Sequence, residues 1–144
     1  MQPYQLNEAT LQVPDGWRDT TINAFVLPAE AGSSASLVIT RDPEAGDAEA
    51  NAYADQQLVK SAQQLPAYKL VARAQCVIAG QAAVQSDFTW VTPDRVSVRQ
   101  RQACLRAGSV MLVLTLSARD EAFTALEPTW SDVVASLRLP PARQ

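Results

Sequence analysis

Two stretches of this chain, Ile22 to Leu27 and Val110 to Leu116, carry apolar side chains at odd and even positions alike. A strand sends alternate side chains to opposite sides of its sheet, so such segments belong in a sheet that is apolar above and below. Only two stretches have the spacing of an amphipathic helix. Apolar strand surface therefore exceeds what the chain's own helices can cover. The remainder calls for a partner subunit or for an apolar ligand.

At 144 residues the chain is expected to form one domain spanning 1–144, long enough to bury a core without disulfide or metal staples. A net charge of -3 is the wrong sign for a phosphate-binding surface, so no nucleic-acid partner is expected. No apolar run approaches the roughly 20 residues of a membrane span, and Met1-Gln2-Pro3-Tyr4-Gln5-Leu6 has neither a basic start nor an apolar core. The expectation is a soluble cytoplasmic protein, not inserted in a membrane. Cys76 and Cys104 are too few for a disulfide framework or a thiolate metal site and read as small buried hydrophobes.

Turn chemistry and periodicity give the order of elements. Ala9 to Val13 reads as a short strand closed by Pro14-Asp15-Gly16, followed by strands at Ile22 to Leu27 and Ser36 to Arg41 with a loop from Pro28 to Ser34 between them. Asp47 is placed to cap a helix from Ala48 to Gln64, which Pro66 ends by restricting Leu65. Ala50, Ala54, Leu58, Ser61 and Leu65 form its packing stripe, with Tyr53 and Gln57 on an adjacent one. Tyr68 to Ile78, Gln81 to Val91, Arg95 to Leu105 and Ser109 to Ser117 then read as an antiparallel meander, turning at Gly80, Pro93-Asp94 and Gly108. Pro128 opens a last helix with Trp130, Val133, Val134 and Leu137 on one face, stopped by Pro140-Pro141. The fold class is α+β: a large antiparallel sheet with one main helix and a C-terminal helix.

The chain contains no histidine, which removes Ser-His-Asp and Cys-His catalysis and histidine-bearing zinc sites. No phosphate-binding glycine loop occurs. Asp42, Glu44 and Asp47 cluster beside a helix start, where capping and the helix dipole account for acids, and Asp87 belongs to no motif. Neither enzymatic activity nor a cofactor or metal is expected.

The strand from Arg95 to Leu105 is unusual. Arg95, Ser97, Arg99 and Arg101 form a row that is either solvated or paired with acids of a neighbouring strand. On the other side, Gln100 and Gln102 interrupt the apolar row of Val96, Val98 and Cys104. An amide buried without a partner costs about 1–3 kcal/mol. These two bond a neighbouring backbone, lie at an exposed edge, or line an apolar groove where a neutral amide can both donate and accept toward a guest.

The segments Tyr4-Gln5-Leu6-Asn7-Glu8-Ala9, Pro14-Asp15-Gly16-Trp17-Arg18-Asp19 and Ile22-Asn23-Ala24-Phe25-Val26-Leu27-Pro28 resemble the bacterial Eag chaperones of type VI secretion, a group within the DcrB-related family. Val38-Ile39-Thr40-Arg41-Asp42, Gln56-Gln57-Leu58, Gln64-Leu65-Pro66 and Arg101-Gln102 continue the match in order, so it spans nearly the whole chain. The resemblance implies a fold similar to Mog1 and PsbP and a homodimeric cytoplasmic adaptor. Such an adaptor shields the N-terminal transmembrane helices of a secreted effector and helps load it onto the secretion spike. Carried over by position, the effector-binding groove would comprise Ile22, Ala24, Ile39, Gln57, Leu65 and Gln102. Ala24 departs from the family pattern, which tends to place a larger aliphatic there, and so implies a shallower pocket. The alternative from another class is a constitutive homodimer, structural or regulatory, whose second apolar face is buried by its twin.

Overall fold

Tight turns and alternating side chains build most of the fold in the structure, a computed structural model that describes residues 1–28 and 35–140. Strands β1 (Gln2–Gln5) and β2 (Thr10–Val13) form a hairpin of their own. After them come β3 (Asn23–Leu27), β4 (Ala35–Asp42), helix α1 (Ala50–Gln64), β5 (Lys69–Ile78), β6 (Gln81–Val91), β7 (Ser97–Ala107) and β8 (Val110–Arg119). A short helix α2 (Asp120–Phe123) leads through a 3-10 turn at Thr124–Leu126 into α3 (Glu127–Ser136). The six-stranded sheet has the order β3-β4-β8-β7-β6-β5, antiparallel throughout.

The meander from β5 to β8 follows the sequence reading. Between β5 and β6, Ala79 and Gly80 both have positive φ, 52° and 77°, the turn geometry that matches the twist of the strands on either side. Other expectations are corrected. The first short strand pairs with β1, a strand the sequence pattern did not reveal, and not with the large sheet. Arg95 lies in a turn with φ 65°, because Arg95 N–H and Thr92 N–H close it onto Thr92 O and Val96 O, so β7 begins at Ser97. Asp47 does not cap α1. The N-cap position is Glu49, without a side-chain bond, and Ala48 N–H turns back onto Ala45 O instead. The Pro28–Ser34 loop beyond Pro28, and Pro141, lie outside the described residues.

Register assigns each side chain to one of two layers. Ala83 opposes Leu105, Leu105 opposes Leu112, and Leu37 opposes Leu116. These residues form one face, covered by Phe123 and Trp130 from the C-terminal helices. On the other face Val84, Cys104 and Val113 lie side by side across β6, β7 and β8. They pack with Met111 under Ala50, Tyr53 and Ala54 of α1. The apolar character of β8 on both sides is thus met by a different helix on each. The cysteines stand on opposite faces and are free.

The arginine row resolves in favour of pairing. Arg101, only 6% exposed, donates from Nε and Nη2 to the two oxygens of Asp87 on β6, each at 2.8 Å. It also donates to Glu127 of α3 at 2.6 and 2.8 Å, while Arg99 donates to Asp87 at 2.6 Å. The Arg101 guanidinium lies 5.2 Å from the Phe123 ring centre and 5.6 Å from that of Trp130. Sheet, α2 and α3 therefore meet at one cation. Burial pushes the Asp87 carboxyl up, but the bonds from Arg101 and Arg99 outweigh it and hold its pKa below the ordinary value. The bond from Arg101 likewise lowers Glu127.

Both carboxyls being depressed, their contribution to stability is complete above the usual carboxylate range and is lost as pH falls through their lowered pKa values. Asp87→Ala leaves two arginines without their buried acid and is expected to cost about 3–5 kcal/mol in urea unfolding at neutral pH. Below about pH 4 the wild type should lose stability more steeply than this variant. A neutral-pH loss under about 1 kcal/mol would show the cluster to be incidental.

Candidate functional site

Helix α1 covers only part of its face of the sheet. Its outer flank is tied to β5, where Arg73 bonds Asp55 and reaches Asn51 O and Oδ1 at 3.0 and 2.7 Å. Its inner flank is marked by Tyr53, whose hydroxyl donates to Asp42 Oδ2 at the end of β4, at 2.9 Å. Residues four apart share a helix flank, so Gln57 follows Tyr53 and Leu65 lies two turns further on. Both are half-buried and border the sheet surface that α1 leaves open.

That surface is ordered by strand register. Ala24 opposes Val38, Val38 opposes Thr115, Thr115 opposes Gln102, and Gln102 opposes Ser86 beneath the helix side. The next row runs Val26, Ser36, Ser117, Gln100 and Phe88. The result is an open strip of sheet, termed the channel, bordered by α1 and by the edge strand β3, with β4, β8 and β7 as floor. Its outer rim is apolar and bare at Val26, 85% exposed, with Ile22, 62% exposed, just before the strand. Half-buried hydroxyls and amides line the floor. At one end the channel opens into a cleft of about 510 Å³ between Val26, Ser36, Ser117, Val98 and Arg119.

The two glutamines differ. Gln100 accepts from Trp90 Nε1 at 3.0 Å and donates to Ser117 Oγ at 2.7 Å, so neighbouring side chains satisfy it. Gln102, half-buried in mid-floor, has no side-chain hydrogen bond among the described residues.

By register Ala24 and Gln102 lie on the channel's face of the sheet, and Gln57 on α1 and Leu65 at its C-cap follow the Tyr53 flank beside it; Ile22 precedes β3, exposed and outside the strand register. Ile39 lies on the opposite face. It opposes Asn23 and Leu114 and packs against the core on the side of α2 and α3, one residue out of step with Val38, which does face the channel. The sequence reading also missed Thr115 and Ser117. Their signal was present: on β8 the α1-side row reads Met111, Val113, Thr115, Ser117, apolar beneath the helix and hydroxylic where the helix stops.

The nearby titratable groups have structural partners. Asp42 accepts from Tyr53 and from Glu44 N–H, the latter at 2.9 Å, and Arg101 and Arg99 hold Asp87. Burial pushes the Cys104 thiol up to about 11, the reverse of what a nucleophile needs. No helix of the described residues is long and apolar enough to cross a membrane.

The pattern of the DcrB family matches residues 8–136, most of the chain. The chain belongs to the DcrB family. The Pseudomonas aeruginosa protein named Effector EagT6 is 37% identical over 138 residues, 95% of each chain, in agreement with the Eag resemblance. A solved Pseudomonas aeruginosa protein described as of unknown function superposes with a TM-score of 0.84 at 36% identity, covering 99% of both chains. Two more distant structures share the Mog1/PsbP-like fold. LpqN of Mycobacterium tuberculosis, described as involved in cell envelope biogenesis, has a TM-score of 0.55 at 18% identity over 91% of this chain and 82% of its own. Cyanobacterial PsbP from Synechocystis has 0.50 at 13%, over 94% and 89%.

The contrast between the glutamines is testable by unfolding. Gln100→Leu strands the Trp90 indole and is expected to cost about 1–3 kcal/mol, whereas Gln102→Leu should stay within about 0.5 kcal/mol of wild type. Equal losses would mean that Gln102 also has an internal partner.

Proposed function

We propose that this DcrB-family protein is a non-catalytic chaperone of type VI secretion, whose channel between α1 and β3 shelters apolar helices of an effector before export. One observation carries the reading: a half-covered sheet face with a bare apolar rim and an uncommitted amide, Gln102, in its floor. The relationship to Effector EagT6 supports the secretion context. An apolar helix left free in the cytoplasm aggregates or inserts into the wrong membrane. Burying about 1,000 Å² of it yields roughly 25 kcal/mol gross. Lost translational, rotational and side-chain freedom offsets much of that, so binding is firm yet reversible.

The recognition mode is helix in groove. Ile22, Ala24 and Val26 meet the guest's apolar face, Leu65 closes the α1 side, and Gln57 and Gln102 pair with its occasional Ser, Thr or Asn groups. Ala24 makes the β3 wall shallow and favours a bulky guest side chain opposite it. In this reading the protein works in the cytoplasm as a homodimer and hands its cargo to the secretion spike.

The test is binding of synthetic apolar helical peptides by the full chain. Ile22→Asp should abolish binding while leaving the fold intact, since Ile22 is 62% exposed. Gln102→Leu should weaken peptides carrying Ser or Asn by about tenfold and spare purely aliphatic ones. Absence of peptide binding, with the rim already covered in a dimer, would favour the constitutive homodimer instead.

A further inference from the structure

At the opposite end of the sheet from β3, strand β5 presents an open edge that pairs with no strand among the described residues. Exposed sheet edges are ordinarily blunted by bulges, lysines or prolines. The first part of β5 is so protected, by Lys69 and by a register shift between Leu70 and Ala72. From Arg73 to Ile78 neither device occurs, and Arg73 itself is drawn aside to α1 by Asp55 and Asn51. Val77 in this stretch is 73% exposed.

A cleft flanks this stretch on each face of the sheet. On the α1 side, about 610 Å³ lies between Glu49, Asn51, Gln75, Val77, Ala82 and Arg106. On the α3 side, about 450 Å³ lies between Cys76, Ile78, Gln85, Trp130, Ser131 and Val134. A strand laid along the edge would drop successive side chains alternately into the two clefts, while its backbone continues the ladder.

We propose that the Arg73–Ile78 edge is a second docking site, which takes an extended segment of a partner protein in strand addition, with larger apolar side chains alternating into the two clefts and an acidic residue at its flank. A second copy of β5 fits less well. It would offer Ala72, Ala74 and Cys76 to one cleft, too small to fill it. It would also bring no acid to answer Lys69, since β5 carries none and Arg73 is already held by Asp55 and Asn51. An acidic flank on a foreign strand meets Lys69 instead.

The probe is a blocked peptide, Glu-Val-Ile-Val-Ile-Val-Glu, which presents aliphatic side chains on both faces, added to the isotope-labelled full chain. Backbone amide signals of residues 73–78 should shift and become protected from hydrogen exchange. A version N-methylated at alternate residues should not bind, because strand addition rests on backbone bonds. Val77→Lys, at an exposed position that tolerates it, should weaken binding by about tenfold, the scale of one aliphatic contact. Shifts confined to the channel at Ala24 and Gln102, or no shifts at millimolar peptide, would overturn the proposal. So would protection of residues 73–78 that depends on protein concentration without peptide, which would assign the edge to a second copy.

Discussion

A strand must hide two sides, and β8 is apolar on both. That constraint organises the molecule. Leu112, Leu114 and Leu116 on one side and Met111 and Val113 on the other demand separate covers, so the chain supplies α2 and α3 above and α1 below. The upper cover is continuous with the core because Phe123 and Trp130 seal it around Arg101. The lower cover is shorter than the sheet is wide. Where α1 stops, Thr115, Ser117 and Gln102 replace aliphatic side chains, and the apolar rim of β3 stands bare beyond them.

The two faces also differ in how they are held. Above, a buried cation is shared between Asp87 and Glu127, a geometry in which removing one partner is severe because the remaining charge has nowhere to go. That ties the C-terminal helices to the sheet in a single arrangement. Below, α1 is anchored at its flanks, by Arg73 on the β5 side and by the Tyr53 bond to Asp42 on the β4 side. Burial, together with that bond to Asp42, raises the Tyr53 pKa, so its proton stays on the hydroxyl at neutral pH. A fixed α1 gives the channel a rigid wall, and a preorganised groove binds an apolar helix with less ordering of its own side chains.

Much of this architecture is legible in the residues. Strand alternation and the turns at Gly80 and Gly108 place β5 to β8 closely, and Pro66 and Pro128 mark helix boundaries, because each is a local rule acting on neighbouring residues. What fails is information that only pairing supplies. Periodicity says that Val38 and Ile39 point opposite ways, yet which of them faces α1 depends on β4 lying against β8 with Val38 opposite Thr115. Arg101 looks solvated or paired until register sets it across from Asp87. Asp47 satisfies every local requirement of a cap, but the turn closed by Ala48 onto Ala45 starts the helix later. Strand β1 escaped notice because Pro3 and two glutamines give it no apolar alternation.

The central claim is that a guest helix lies on the α1 side of the sheet against β3. Ala24 and Phe25 are adjacent on that strand, both exposed, and point to opposite faces. A photoreactive amino acid placed at each position in turn, in cells that also make the natural partner, reads the face directly. Cross-linking of an apolar helical segment from position 24 and not from position 25 is the predicted result. Equal yield from position 25, or cross-links from position 25 alone, would contradict it.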